Sequence, residues 1–150
     1  MECDLSERSK HYGIKFLVDP EDYKRFVEPY SFTLNDGYVY YSGRKDGLHG
    51  KPLHRVILGE PEGVIDHING NPLDNCRQNL RVCTNQQNLF NRGKNSNNKS
   101  GYKGVSWNKQ EQKWRAKING KHLGYFDSAE EAHRVYVRSA QELHGEYARF

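Results

Sequence analysis

Val64-Ile65-Asp66-His67-Ile68-Asn69-Gly70-Asn71-Pro72-Leu73-Asp74-Asn75, then Asn79-Leu80-Arg81, then Asn85-Gln86-Gln87-Asn88, is the stretch on which the reading of this chain turns. Residues 64–68 read as a strand. Residues 69–78 read as a polar loop, because Asn-Gly-Asn-Pro is turn chemistry. Residues 79–83 read as the returning strand, and Thr84 caps a helix to about residue 91. This β-β-α order sets Asp66 and His67 at the end of the first strand and Asn88 one turn into the helix. Asp66 and Asn88 offer hard oxygen donors, which suit one Mg²⁺ that keeps most of its water, with Mn²⁺ as the alternative ion. His67, on the other side of the strand, can take a proton from an attacking water. Asn79 can brace the loop and the His67 backbone.

The segment before it is organised for support. Ile14-Lys15-Phe16-Leu17-Val18 reads as a short strand, with residues 1–13 frayed ahead of it. Asp19-Pro20-Glu21-Asp22 reads as a helix start capped by Asp19, and Pro29 as its stop. Residues 31–34 and 38–42 flank Asn35-Asp36-Gly37, a hairpin signal. Residues 53–58 read as a further strand carrying His54, for which a structural, hydrogen-bonded role is favoured. Arg55 and Arg81 are candidate phosphate clamps, with salt-bridge roles as the alternative.

Composition limits the rest. The chain has 150 residues, 35% hydrophobic, with a net charge of +4. Two or three small cores fit such a polar chain better than one large one. Net charge runs from −2 over residues 1–50 to +2 over 51–98 and +4 over 99–150. A positive charge growing along the chain points to a polyanion partner for the second half. No apolar run approaches the roughly 18 residues of a membrane span. Met1-Glu2-Cys3-Asp4 lacks the basic start and apolar centre of a signal peptide. A soluble, intracellular, cytoplasmic chain is expected, with no membrane partner and no small-molecule cofactor. Cys3, Cys76 and Cys83 read as reduced thiols, Cys83 in a strand and Cys76 in a loop.

Residues 92–101 are polar, basic and rich in Gly, Ser and Asn, and read as a flexible linker. Beyond it, residues 102–107, 113–119 and 122–126 read as three strands. Trp114, Ala116 and Ile118 share one face of the middle strand; Arg115, Lys117 and Asn119 share the other. Asp127 or Ser128 caps a helix in which Ala129, Ala132, Tyr136, Ala140 and Leu143 form one stripe, and Gly145 ends it. Trp114 falls on the core face, while Trp107 is left undecided between packing and stacking.

Asp66-His67, Asn79 and Asn88 resemble the signature of HNH (His-Asn-His) nucleases, and most closely the phage homing-endonuclease branch, in which the last His is Asn. With Leu53-His54-Arg55, the resemblance covers about residues 50–92. It implies a single-metal hydrolase of phosphodiester bonds in DNA, with His67 as general base, Asp66 and Asn88 as ligands and Asn79 as support. Tyr102-Lys103-Gly104-Val105, Lys113 to Ile118, Leu123-Gly124-Tyr125-Phe126 and the Ala-rich helix resemble the AP-two/ethylene-response-factor domain. That resemblance implies groove-facing positions at Lys103, Ser106, Asn108, Lys117, Asn119 and His122, joined by Arg115 on the same face.

The expected architecture is α+β. It has an N-terminal α+β module (1–50), an HNH ββα-metal core (51–92), a basic linker (93–101), and a three-stranded antiparallel sheet packed on one helix (102–150). The expected function is metal-dependent cleavage of duplex DNA, by nicking, from a monomer in a host bacterial cytoplasm if the gene is phage-borne. The rival is a DNA-binding regulator with an inactive nuclease module.

Overall fold

The computed structural model describes residues 1–7 and 9–150. It divides into two compact units, residues 1–85 and 86–150. Among the described residues no helix is long and apolar enough to cross a membrane, and all three cysteines are free thiols, with Cys83 buried in a strand.

The first unit assembles three antiparallel hairpins around one core. β1 (Glu2–Asp4) pairs with β2 (Lys15–Leu17), Cys3 facing Phe16. Residues 2–5 are therefore not frayed as expected; residue 8 lies outside the described residues. Cys3 and Leu5 are 5% and 2% exposed, and three residues of strand are too short a run for alternation to signal. α1 (Pro20–Asp22) continues into a π-turn over Tyr23–Val27. Asp19 precedes it in extended geometry but makes no side-chain cap. Its Oδ2 instead accepts from the backbone N–H of Arg77 at 2.8 Å.

β3 (Phe32–Asn35) and β4 (Tyr38–Tyr41) form the expected hairpin in full register. Asp36 and Gly37 both have positive φ, 48° and 83°, as the tight turn between twisted strands requires. Phe16, Phe32 and Tyr41 then pack ring on ring, with centroids 5.3 and 4.8 Å apart.

Residues 53–58 are helical rather than extended. α2 (Leu53–Ile57) follows Pro52, and Leu53 and Ile57, one turn apart, are both buried. A short apolar run of this kind fits either element by composition, and here the i, i+4 burial decides. β5 (Val64–His67) and β6 (Leu80–Cys83) form the third hairpin, pairing Asp66 with Arg81 and His67 with Leu80.

The second unit opens on α3 (Asn85–Asn91), most of which it contains. β7 (Val105–Asn108), β8 (Lys113–Ile118) and β9 (Lys121–Phe126) form one antiparallel sheet in that order. α4 (Ala129–His144) is capped by Ser128, whose side chain accepts from the Glu131 N–H. Ala132, Tyr136 and Ala140 are buried against the sheet. Leu143 departs from the expected stripe and is 57% exposed. Gly104 lies where Tyr136 crosses the sheet. A β-carbon there would sit 2.2 Å from the Tyr136 ring and 2.9 Å from the Lys117 carbonyl, and φ is +73°.

Segment 92–101 is not a free linker. Lys94 Nζ donates to the Gly101 carbonyl at 3.1 Å, Asn98 Nδ2 to Tyr102 at 2.7 Å, and Ser100 Oγ to Val105 at 2.8 Å. Asn98 and Ser100 bond to backbone, while Asn95, Ser96 and Asn97 stay exposed.

Candidate active site

Strand alternation separates the two reacting groups expected at the end of β5. Asp66 stands on one side, directly opposite Arg81. Arg81 donates to the carboxylate oxygen Oδ2 from Nε at 2.9 Å and from a terminal nitrogen at 2.7 Å. The side chains are 6% and 14% exposed, so this is a sheltered ion pair. Of the two roles open to Arg81, phosphate clamp or salt bridge, the structure shows the salt bridge.

His67 stands on the other side, 5% exposed, in a cluster of three rings. His54 lies edge-on to it, with centroids 5.2 Å apart and planes at 81°. Tyr38 contacts both, at 5.6 Å from His54 and 5.7 Å from His67. Burial lowers the His67 pKa first; the Asn75 amide and then the carboxylates of Asp66 and Asp74 raise it in part. The net direction is down, so the ring is neutral at pH 7 and able to accept a proton. His54 is driven further, to about 4, by burial and then by the charges of His67 and Arg55. Its Nδ1 is buried without a hydrogen-bond partner among the described residues.

The loop between the strands is fixed from both sides by Asn79. Its Oδ1 accepts from the Asn69 N–H at 2.9 Å and its Nδ2 donates to the Asp74 carbonyl at 2.8 Å. Its own carbonyl accepts from Ile68 at 2.8 Å, while Gly70 N–H donates to the His67 carbonyl at 2.7 Å. The bracing expected of Asn79 is present in its contacts. Asn75, fully buried, ties the loop to β2 through its N–H on the Leu17 carbonyl at 2.8 Å. Arg77 adds a two-pronged contact to Asp22, both at 2.8 Å.

The remaining candidates divide. Arg55 holds the turn ahead of β5, donating to the carbonyls of Gly63, at 3.0 Å, and Pro61. Asn88 lies in α3, in the second unit. Sequence reasoning placed Asp66, His67 and Asn79 in one hairpin, and the structure does the same. It passed over Tyr38 and Asn75, which carry no chemistry of their own and are visible only through packing. It set His54 on a strand.

A family model described as HNH endonuclease matches residues 51–89. The chain is 38% identical over 130 residues to an uncharacterized HNH endonuclease of Acanthamoeba polyphaga mimivirus, covering 81% of this chain and 67% of that one. The chain belongs to the HNH endonuclease family. It is also 40% identical over 95 residues to protein 3.8 of Escherichia phage T7, covering 60% of this chain and 78% of that one. No solved structure matches.

Members of such a family raise the question of a metal. Among the described residues no three His, Cys, Asp or Glu side chains gather as a metal cluster. The Asp66 carboxylate, ion-paired with Arg81, is one candidate donor. A strongly hydrated cation such as Mg²⁺ needs only one or two carboxylates from protein, so this donor set fits it, with Arg81 sharing the carboxylate.

In the second unit of this HNH family member the outward sheet face carries Ser106, Asn108, Arg115, Lys117 and His122. Arg115 donates to Ser106 Oγ at 3.4 Å and faces Tyr125 across the ladder. A register shift between Ala116 and Lys117, with Gly124 opposite at φ +146°, brings His122 and Tyr125 to the same face, ring centroids 4.5 Å apart. Such a bulge aims side chains that plain alternation would separate, which is why Tyr125 escaped the sequence reading. Asn108 reaches the Tyr125 hydroxyl at 3.2 Å.

Two of the expected groove-facing positions are diverted. Lys103 donates to the carbonyls of Phe90 at 2.7 Å and Arg149 at 3.0 Å, and burial lowers its pKa. Asn119 sits in the turn with φ +48° and contacts His144 Nε2 at 3.3 Å. Trp114 packs in the core, as expected.

Proposed function

We propose that this chain is a divalent-metal-dependent DNA endonuclease in which His67 is the general base. The observation that carries the reading is the buried imidazole at the end of β5, neighbour in sequence to a carboxylate and packed against Tyr38 and His54. Water attacks the scissile phosphorus and gives its proton to His67. The P–O bond to the 3′ oxygen breaks, and that oxygen takes a proton from solvent, leaving a 5′-phosphate and a 3′-hydroxyl. Asp66 would hold the ion, and the sequence pattern adds Asn88 as a second oxygen donor. Bound Mg²⁺ would supply charge stabilisation at the phosphate and at the departing oxygen. Asn79 keeps the loop, and with it the backbone around His67, in place.

The second unit is read as the DNA-holding module, in keeping with its AP-two-like pattern. Arg115, Lys117 and His122 supply cationic and donor groups on one sheet face, and Ser106, Asn108 and Tyr125 supply hydrogen-bonding edges for phosphate and base contacts. One catalytic hairpin per chain favours a monomer that cuts one strand at a time. This is the homing-type reading of the family.

The Arg81 ion pair on Asp66 gives the rival its footing, because it occupies the group expected to hold the ion. Supercoiled plasmid separates the two. Nicking in Mg²⁺ that EDTA abolishes supports the enzyme. Retarded plasmid with no nicking in Mg²⁺ or Mn²⁺ supports a regulator with a silent nuclease module.

A further inference from the structure

The second unit carries a cleft beside its edge strand β7. It has a volume of about 350 Å³, with Asn95, Asn97 and Lys99 on a loop wall and Ser106, Trp107 and Trp114 on the sheet side. Trp107 stands edge-on to Trp114, centroids 5.2 Å apart and planes at 69°. Trp114 is packed into the core, yet Trp107 keeps 45% of its surface exposed. It lies on β7, an edge strand of the sheet.

The opposite wall is held in place. Asn98 Oδ1 accepts from the Gly101 N–H at 3.0 Å and from Ser100 Oγ at 2.8 Å, and Ser100 Oγ also contacts the Val105 carbonyl. This leaves Asn95, Asn97 and Lys99 exposed on that wall.

An open indole facing carboxamides and a cation matches one ligand chemistry, an unpaired nucleotide. The base stacks on Trp107, its polar edge meets amides that donate and accept, and its phosphate meets Lys99. Inside a duplex the faces of each base are covered by its stacked neighbours and its pairing edge is taken by its partner, so a base that stacks here must be unpaired. The charge of the wall favours the same partner, since Lys99 lines it and the 92–101 segment carries no acidic residue.

We infer that the Trp107 cleft binds an unpaired base of single-stranded DNA, a site additional to the duplex-facing sheet. The inference rests on the reading of the chain as a protein that works on DNA.

The test uses the whole chain in EDTA, so that binding is read without cleavage. Anisotropy of a labelled thymidine oligonucleotide is compared with that of a labelled blunt hairpin duplex, for wild type, Trp107→Leu and Lys99→Glu. Trp107→Leu should weaken oligonucleotide binding about tenfold, the effect of losing one base–aromatic stack, and leave the duplex within twofold. Lys99→Glu, on an exposed loop, should weaken the oligonucleotide and flatten its salt dependence. Oligonucleotide binding unchanged in Lys99→Glu, or unchanged in a Trp107→Leu protein that melts like wild type, overturns the assignment. So does a uridine oligoribonucleotide that binds more tightly than the thymidine one, which would assign the cleft to RNA. A wild type that nicks plasmid but ignores the oligonucleotide sinks this inference alone; one that binds the oligonucleotide but never nicks sinks the nuclease reading alone.

Discussion

Asp66 and Arg81 face each other across the β5–β6 ladder, and two nitrogens of Arg81 converge on one oxygen of Asp66, at 2.9 and 2.7 Å. The pair is sheltered on both sides. Removing one member leaves the other charged and poorly solvated. Arg81→Met should therefore destabilise the first unit by about 3 kcal/mol, in the range for breaking a buried pair. Urea unfolding followed by circular dichroism measures it. A loss under 1 kcal/mol would mean the pair behaves as a surface contact.

Asn79 makes two side-chain hydrogen bonds at 2.9 and 2.8 Å to opposite ends of the loop that follows His67. Asn79→Ala removes both and leaves the part-buried Asn69 N–H and Asp74 carbonyl without these partners. The expected cost is about 2 kcal/mol of stability, with a fall in plasmid nicking larger than the loss of folded protein explains. Nicking at wild-type rate in a folded Asn79→Ala protein would remove it from the site.

His54 gives stability a pH dependence. Its pKa falls from about 6.5 unfolded to about 4 folded. A lowered folded value means the stabilisation is present above the unfolded pKa and is lost as pH falls from about 6.5 toward 4. His54→Phe should flatten that part of the stability profile, by about 3 kcal/mol at most. Thermal melts of both proteins between pH 4 and 7 check it, and parallel curves would contradict it.

Gly104 is the tightest glycine in the second unit. Alanine there must displace the Tyr136 ring or the Lys117 backbone, and adopt φ +73° as well. Gly104→Ala should cost at least about 2 kcal/mol and lower the melting temperature. An unchanged melting temperature would show that Tyr136 can move aside freely.

Much of the molecule was legible in the chain because local chemistry agreed with tertiary demand. Asn35-Asp36-Gly37 forms the expected hairpin turn, and Ser128 and Gly145 bracket α4 as their capping chemistry requires. The Asp66, His67 and Asn79 constellation was readable because its spacing is fixed by one hairpin. What escaped depended on partners distant in sequence. Leu53 and Ile57 are buried on one side of a helix, though their run also fits a strand. Asp19 looked like a cap, but Arg77, 58 residues later, takes its carboxylate. For Arg55 and Arg81 phosphate and salt-bridge roles stayed open, and Lys103 was placed on the groove face, because charge alone does not reveal which carbonyl or carboxylate lies within reach. Segment 92–101 looked like a linker because its polar side chains fold onto backbone that composition does not display.

The central claim is that His67 removes the proton from the attacking water. The direct measurement is the single-turnover cleavage rate of plasmid in Mg²⁺ for wild type and His67→Ala, with and without added imidazole. Loss of a general base should slow cleavage by 10²- to 10⁴-fold, and imidazole should restore part of it with a rate that rises with the neutral fraction of the added base. A folded His67→Ala protein that cuts at the wild-type rate would contradict the account.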